Sequence, residues 1–174
     1  MQVADVLIDA FGRIHEEVEG VLDGLDDEAL GVRLDADANS IAWLVWHLTR
    51  IQDDHVAKAF GVEQVWMTEG WAERFGLPFR VTDHGYGHTS EQVAALSGVS
   101  GALLSGYHEA VWGRTVGLLR PVTTEDLDRI VDTRWTPAVT LGVRLVSVIA
   151  DDLQHAGQAA FARGVLERRT APGI

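Results

Sequence analysis

Two histidines and one aspartate stand at positions where apolar helices would bury them. His47 lies within a dense apolar run, and His155 is followed by a further apolar stretch. Asp151 precedes His155 by four residues, so a helix would point both side chains to one side. A buried carboxylate is costly without compensation, and a shared divalent ion would compensate all three groups. Convergence of the three from two helices predicts a metal site, although the spacing by itself favours a hydrogen-bonded core histidine beside a helical Asp–His pair.

The absence of cysteine limits the chemistry that the chain can perform. Disulfides, zinc fingers, iron–sulfur clusters and a cysteine nucleophile are excluded, so any metal must be held by histidine and carboxylate groups. Three protein ligands would leave one coordination position open, which is typical of catalytic zinc sites. Asp152 would point about 100° away from Asp151 on a helix, and we do not expect it to be a ligand.

Other polar residues near the predicted site have more than one interpretation. His84 and His88 are four residues apart, but the glycines between them indicate a loop. This loop would cap the third helix or fold over the bundle mouth as a lid, with a second metal site as the less favoured alternative. His55 lies two turns after His47 and is either a group that supports the site from behind the ligands or a surface histidine. Gln158, three residues after His155, could contact a ligand.

Apolar residues recur at three- and four-residue steps through four long segments, which predicts helices. Ser40 is a good N-cap for the second helix and Pro121 stops the third. Glycines and aromatic residues interrupt the pattern between the second and third helices. We therefore predict an all-α, up-and-down four-helix bundle with a long loop between helices two and three. The predicted helices are Gln2 to Leu22, Ile41 to Phe60, Thr89 or Ser90 to Leu119, and Pro137 to Glu167.

Length and charge narrow the class of protein further. The chain has 174 residues, which predicts a single domain over residues 1–174. It carries 26 acidic and 14 basic residues, a formal net charge of −12, so nucleic acid and anionic membrane surfaces are not expected partners. No stretch of 18 apolar residues exists and the amino terminus lacks the features of a signal peptide. A cytoplasmic protein is expected.

Two segments resemble DinB-like proteins. The first is Ser40–His55, which contains Trp-His-Leu-Thr, and the second is Val148–Gln158, which contains Gln-His-Ala-Gly-Gln. The resemblance implies that a histidine of the second helix and a pair four residues apart on the last helix bind a metal. That pair is often two histidines, whereas its first member here is Asp151. This looks more like the acidic variant of mycothiol-dependent maleylpyruvate isomerases and their relatives.

The resemblance implies an enzyme: a divalent-metal-dependent thiol S-transferase or isomerase acting with a small electrophile. The thiol would be a low-molecular-weight compound such as mycothiol. Zn²⁺ or Ni²⁺ is the expected ion at His47, Asp151 and His155, and the carboxylate shifts selectivity toward Mn²⁺ or Fe²⁺. Two alternatives stay open: a hydrolase using metal-bound water, and a non-catalytic metal-binding or interaction module. The resemblance and the glycine-rich third helix favour a homodimer.

Overall fold

The computed structural model describes residues 1–170, which are mostly helical and confirm the all-α bundle with a long connection between its second and third long helices. The four long helices are α1 (Val3–Leu22), α3 (Ile41–Phe60), α7 (Gly101–Leu119) and α8 (Leu141–Thr170). Shorter elements join them. These are α2 (Asp27–Gly31), α4 (Val65–Thr68), α5 (Trp71–Phe75), α6 (Ser90–Ala94), a 3₁₀ turn (Glu125–Asp128) and an antiparallel pair of strands, β1 (Ile130–Asp132) and β2 (Val139–Thr140).

Local capping explains where the helices of the site begin and end. The Ser40 hydroxyl accepts a hydrogen bond from the backbone N–H of Trp43 at 3.2 Å, which starts α3 where the sequence predicted. The predicted third helix is wrong in its extent, because it is divided into α6 and α7. Gly98 adopts a φ of +85° between them, and Ser100 caps the restart. The last helix likewise begins at Leu141 rather than at Pro137.

The long connection sets the direction of the helices. Thr49 contacts His108, and three residues further along α3 Gln52 donates to Thr115, so α3 and α7 run in the same direction. α1 and α8 run in the opposite direction to this pair. The order is therefore up, down, down, up instead of the strict alternation expected from the sequence. Residues 61–100 are long enough to return the chain to the end of the bundle at which α3 begins.

A buried polar network fastens this connection to α3. The Asp53 carboxylate accepts hydrogen bonds from the backbone N–H groups of Val65 and Trp66, at 2.9 and 2.8 Å, and from the Tyr107 hydroxyl at 2.9 Å. Arg50, fully buried, donates to Gln64 at 2.8 Å and to the Asp83 carbonyl at 3.2 Å. Because Arg50 and Asp53 of α3 are hydrogen-bonded both to the segment that follows α3 and to Asp83, this connection is held against the bundle.

Apolar side chains of the four long helices fill the interior. The predicted stripe of α1 faces this core, and the apolar face of α8 packs beside it. None of the helices in residues 1–170 has the combination of length and apolar composition that a bilayer span requires. Fully buried members of the core include Phe11, Ile14, Val45, Leu48, Leu104, Leu141 and Leu145.

Candidate metal centre

The structure brings His47, Asp151 and His155 together at the contact between α3 and α8. One candidate ligand atom from each side chain lies within 4.8 Å of the other two. The two imidazole rings meet edge to face, with centroids 4.6 Å apart. Residues 1–170 hold no other group of three histidine or acidic side chains that converge in this way. The three residues that the sequence analysis proposed as ligands therefore lie next to one another in the fold.

His47 is oriented by main chain and by an aromatic ring. Its Nδ1 donates to the backbone carbonyl of His84, which leaves Nε2 as the nitrogen available to a ligand. The indole of Trp43 stacks on the imidazole at 4.6 Å with an interplanar angle of 12°. Because both contacts restrain the ring, His47 is held in one tautomer and one orientation, as metal-ligating histidines generally are by the groups behind them.

His155 has the matching arrangement on α8. Its Nδ1 donates at 2.8 Å to the backbone carbonyl of Asp151, so Nε2 is again left available. The Asp151 Oδ2 atom lies 3.4 Å from the same Nδ1, but the proton is already directed to the carbonyl. This buried Oδ2 has no hydrogen-bond partner in residues 1–170 apart from this long contact with His155. Two oriented imidazoles and a carboxylate oxygen that is held only by this contact fit a divalent cation, because all three can ligate it.

The three groups differ in their protonation. Burial lowers the pKa of His47 to about 4, so this ring is neutral and able to ligate at neutral pH. The Asp151 side chain raises the pKa of His155, and burial opposes that increase. Burial alone would raise the pKa of Asp151, but the hydrogen bond and charge of His155 outweigh it, and the pKa lies below its ordinary value. In the absence of a cation, the contact between Asp151 and His155 therefore favours the charged form of each.

A glycine loop covers His47. Gly85 has a φ of +95°, and a Cβ at this position would lie 2.7 Å from His47 Nδ1. His88 accepts from Trp43 Nε1 at 3.1 Å and donates to Asp83 at 3.1 Å, so both of its nitrogens are engaged. The loop thus packs against Trp43 and His47 of α3, and His88 supports the indole beside His47 rather than forming a second metal site with His84.

Residues that the sequence left ambiguous now have positions. His55 is half-buried, and burial lowers its pKa. Asp54, next to it, is buried and accepts hydrogen bonds from Lys58 at 2.7 Å and from Gln64 at 2.8 Å. Asp152 is fully buried on the core side of α8, where burial raises the pKa of its carboxyl well above the ordinary value. It points away from the cluster, as expected.

Two cavities lie on either side of the cluster along α3 and α8. One, of about 230 Å³, is lined by charged groups that include Lys58, Arg134 and Arg144. The other is an open groove of about 500 Å³ beside Leu44 and Gln158, and none of its lining residues is charged. The two cavities therefore differ in the charge of their lining.

The sequence did not reveal the groups that orient the ligands. Neither Trp43, an aromatic residue within an apolar helix, nor Gly85, a glycine within a loop, has a sequence pattern that marks it as a neighbour of a metal ligand. The contact between the His84 carbonyl and His47 joins residues 37 positions apart. No local spacing encodes such a contact. The sequence does offer one indication of a special loop, namely the two glycines Gly85 and Gly87 between histidines, and both have a positive φ in the structure.

Comparison with known proteins gives a family and structural neighbours. A family model described as mycothiol-S-transferase matches residues 6–168. A solved structure described as a conserved protein of a locus from Enterococcus faecalis has 30% sequence identity and a TM-score of 0.89. It covers 97% of this chain and 99% of its own. No match was found among curated proteins.

Proposed function

This chain belongs to the mycothiol-S-transferase family, and we propose that it transfers a low-molecular-weight thiol to a small electrophile with the help of a divalent metal ion. The ion would be held by His47, Asp151 and His155. The family membership agrees with the DinB-like resemblance of the two histidine segments. Zn²⁺ is the ion that best fits two imidazoles and one carboxylate, because catalytic zinc sites use this donor set.

One observation carries the metal dependence: potential ligand atoms of His47, Asp151 and His155 converge within 4.8 Å of one another. The plainer interpretation, a core histidine beside a helical Asp–His pair, accounts for the contact between Asp151 and His155. It does not account for the His47 ring, which comes from another helix and meets the same pair.

The protein groups each have a defined part in such a reaction. When bound, a divalent ion lowers the pKa of a thiol that coordinates it, so that the thiolate is available at neutral pH. His47, Asp151 and His155 bind the ion, and the His84 carbonyl and Trp43 keep the His47 ring in position. The loop at Gly85 closes one side of the site and excludes water from His47.

The proposed chemistry is a nucleophilic substitution or addition at a carbon atom of the electrophile, with the thiol sulfur as the nucleophile. The thiol S–H bond breaks and its proton passes to solvent, while the sulfur electron pair forms a C–S bond with the electrophile. In substitution, the leaving group departs with the electron pair of the bond that breaks. In isomerisation, sulfur adds to a conjugated double bond, rotation follows, and the C–S bond breaks again, so the thiol is regenerated.

We expect metal-depleted protein to lose thiol transfer and to regain it when Zn²⁺ is added. Asp151→Asn keeps the side-chain shape but removes the anionic ligand, and His155→Gln removes an imidazole. Each should weaken metal binding by at least about 10–100-fold, the range found for perturbed metal sites. The measurements are elemental analysis of the purified protein, a zinc titration against a competing chelator, and consumption of mycothiol with 1-chloro-2,4-dinitrobenzene.

Asp9→Asn is the matched control, because Asp9 is an exposed carboxylate of α1 that pairs only with Arg13. This variant should bind zinc as the wild type does. Thiol transfer that persists after complete metal removal would contradict the proposed metal dependence. Metal-loaded protein that consumes no thiol but hydrolyses esters or amides would replace the transferase with a hydrolase.

A further inference from the structure

The charged cavity of about 230 Å³ lies where the β1–β2 pair packs against the end of α3 and the start of α8. Its lining contains three of the 14 basic residues of the chain, Lys58, Arg134 and Arg144, and one acidic residue, Asp132. Asp54 pairs with Lys58 from outside the lining, and the balance of these five charged side chains is still positive. Because the chain as a whole has a net charge of −12, this cavity is an exceptional place that would attract an anion.

The acidic group of the cavity is already saturated with hydrogen bonds. Asp132 Oδ1 accepts from the backbone N–H and from the Nε of Arg134, at 3.0 and 2.9 Å. Its Oδ2 accepts from Nη2 of Arg134 at 2.7 Å and from Nη2 of Arg144 at 3.0 Å. A carboxylate has about four acceptor sites, so Asp132 has none left for the other donors that line the cavity.

The donors of the cavity, in contrast, are only partly used. The Arg144 side chain is 15% exposed, and neither its Nε nor its Nη1 makes a hydrogen bond within residues 1–170. The ammonium of Lys58 has three protons and makes one hydrogen bond, to Asp54. Guanidinium and ammonium groups with free N–H donors are the groups with which proteins bind carboxylates.

We infer that this cavity binds the carboxylate group of a small organic acid, held by Arg144 and Lys58. Asp132, which Arg134 fixes, keeps the Arg144 guanidinium in place. At roughly 30 Å³ for each water molecule, the cavity has the volume of about eight waters, which admits a carboxylate with a short carbon skeleton. A network that only fastened the β1–β2 pair would need neither this space nor an excess of donors over acceptors.

The cavity faces the same side of α3 and α8 as the candidate metal ligands. Arg144 precedes Asp151 by seven residues, or two helical turns, so both lie on one face of α8. Lys58 follows His47 by eleven residues, or about three turns, on α3. His55 also lines the cavity, and it interacts electrostatically with both Arg144 and Asp151. The bound carboxylate is therefore either part of the electrophile, in which case the site rests on the proposed function, or a separate small acid.

The test measures the binding of benzoate to metal-depleted protein, in which the probe has no ion to coordinate. Benzamide is the matched neutral probe, because it has nearly the same shape without the charge. Isothermal titration calorimetry gives the affinities, and the arginine Nε–H signals of ¹⁵N-labelled protein give the position. We expect benzoate to bind saturably below about 10 mM and to shift the Arg144 signal, and benzamide to bind at least about tenfold more weakly.

Arg144→Gln should weaken benzoate binding at least about tenfold, because the free guanidinium donors are lost. Arg144→Lys keeps the charge but not the planar donor group, so its affinity should be intermediate. Arg13→Gln is the matched control, since Arg13 is an exposed arginine of α1 that pairs only with Asp9, and it should leave benzoate binding unchanged. If circular dichroism shows that Arg144→Gln is unfolded, Lys58→Gln serves instead and should weaken binding at least about threefold.

Three outcomes would overturn the inference. These are equal affinities for benzoate and benzamide, benzoate binding that none of the folded variants at positions 58 and 144 alters, and no saturable binding by the wild type up to about 10 mM. Protein that binds benzoate as expected but transfers no thiol would contradict the proposed function and leave this inference intact.

A second measurement identifies the source of the carboxylate. Zinc-loaded protein is assayed with mycothiol and either 4-chloro-3,5-dinitrobenzoate or its methyl ester. If the electrophile supplies the carboxylate, Arg144→Gln should lower kcat/KM for the acid at least about tenfold more than for the ester. An equal effect on both electrophiles, together with the loss of benzoate binding, would assign the cavity to a separate small acid.

Discussion

At the level of single residues, the environment of each histidine determines its charge. His47 is buried beside a carbonyl and an indole and has a pKa of about 4, whereas Asp151 raises the pKa of His155. The neutral His47 ring is ready to bind a cation, whereas the contact with Asp151 favours the protonated form of His155. Metal binding should therefore release any proton that His155 carries, and the ion would replace the pairing with Asp151.

His108 provides a pH dependence that is independent of the metal site. Its ring is fully buried, and burial, with a smaller effect of the nearby His15, lowers its pKa to about 3. The unfolded chain has an ordinary histidine pKa near 6.5, so between about pH 6.5 and 3 it binds a proton that the folded state does not. The free energy of unfolding should therefore fall as the pH falls, by about 2 kcal/mol between pH 7 and 5 from this residue.

His108→Phe removes this titration while keeping an aromatic ring next to His15. Urea unfolding of wild type and variant at pH 7, 6 and 5 measures the effect. From pH 7 to pH 5, the free energy of unfolding should fall by about 2 kcal/mol less in the variant than in the wild type. This difference does not depend on how stable the variant is at pH 7. An unchanged decline would show that His108 is protonated in the folded protein and would contradict its burial as the dominant effect.

At the level of elements, the site depends on one loop. Gly85 must take a left-handed conformation and must also lack a Cβ, because a Cβ would collide with His47. Gly87 has a φ of +74° but nothing within 4 Å of its Cβ position. A comparison of alanine variants at the two positions therefore distinguishes the effect of the backbone conformation, which both share, from the effect of the collision with His47, which only Gly85 has.

We expect Gly85→Ala and Gly87→Ala each to lower stability by about 1–2 kcal/mol because of the positive φ. Gly85→Ala should in addition weaken zinc binding at least tenfold. The added Cβ would displace the His47 ring, which the hydrogen bond from Nδ1 to the His84 carbonyl holds in position. A competition titration with a zinc chelator measures this difference. Equal zinc affinities for the two variants would mean that the loop does not position His47.

The extent of α3 and the identity of the candidate ligands are predictable from the sequence. The Ser40 cap and the apolar periodicity predict α3 with both of its ends, and the three candidate ligands follow from polar residues within apolar helices. The division of the third helix is not predicted, because Gly98 was interpreted as a tolerated helical glycine. The parallel direction of α3 and α7 depends on non-local bonds such as that from Tyr107 to Asp53, which no periodicity encodes.

At the level of the whole molecule, long-range hydrogen bonds join the first long helix, α1, to the last, α8. Arg163 of α8 donates to the carbonyls of Gly20, Val21 and Asp23 at the end of α1, at 2.6, 3.0 and 2.6 Å. These carbonyls have no partners within their own helix, so a distant guanidinium stabilises the end of α1. α8 also packs on α3 and supplies two of the candidate ligands.

We therefore expect residues 1–174 to unfold as a single domain in one cooperative transition. Circular dichroism at 222 nm and tryptophan fluorescence should give the same urea midpoint in the presence of a chelator. Added Zn²⁺ should shift both midpoints upward together, because the ion binds only where α3 and α8 are assembled. Two separated transitions would contradict the single-domain prediction.

The acceptor that holds His47 belongs to the peptide unit at position 84, not to a side chain. Replacement of His84 by almost any other amino acid leaves that oxygen in place, whereas its neighbour at 85 has no such latitude. Among homologues, we therefore expect many different amino acids at position 84 and almost only glycine at position 85. In distant homologues, this contact would survive as a shape of the chain without a recognisable residue to mark it.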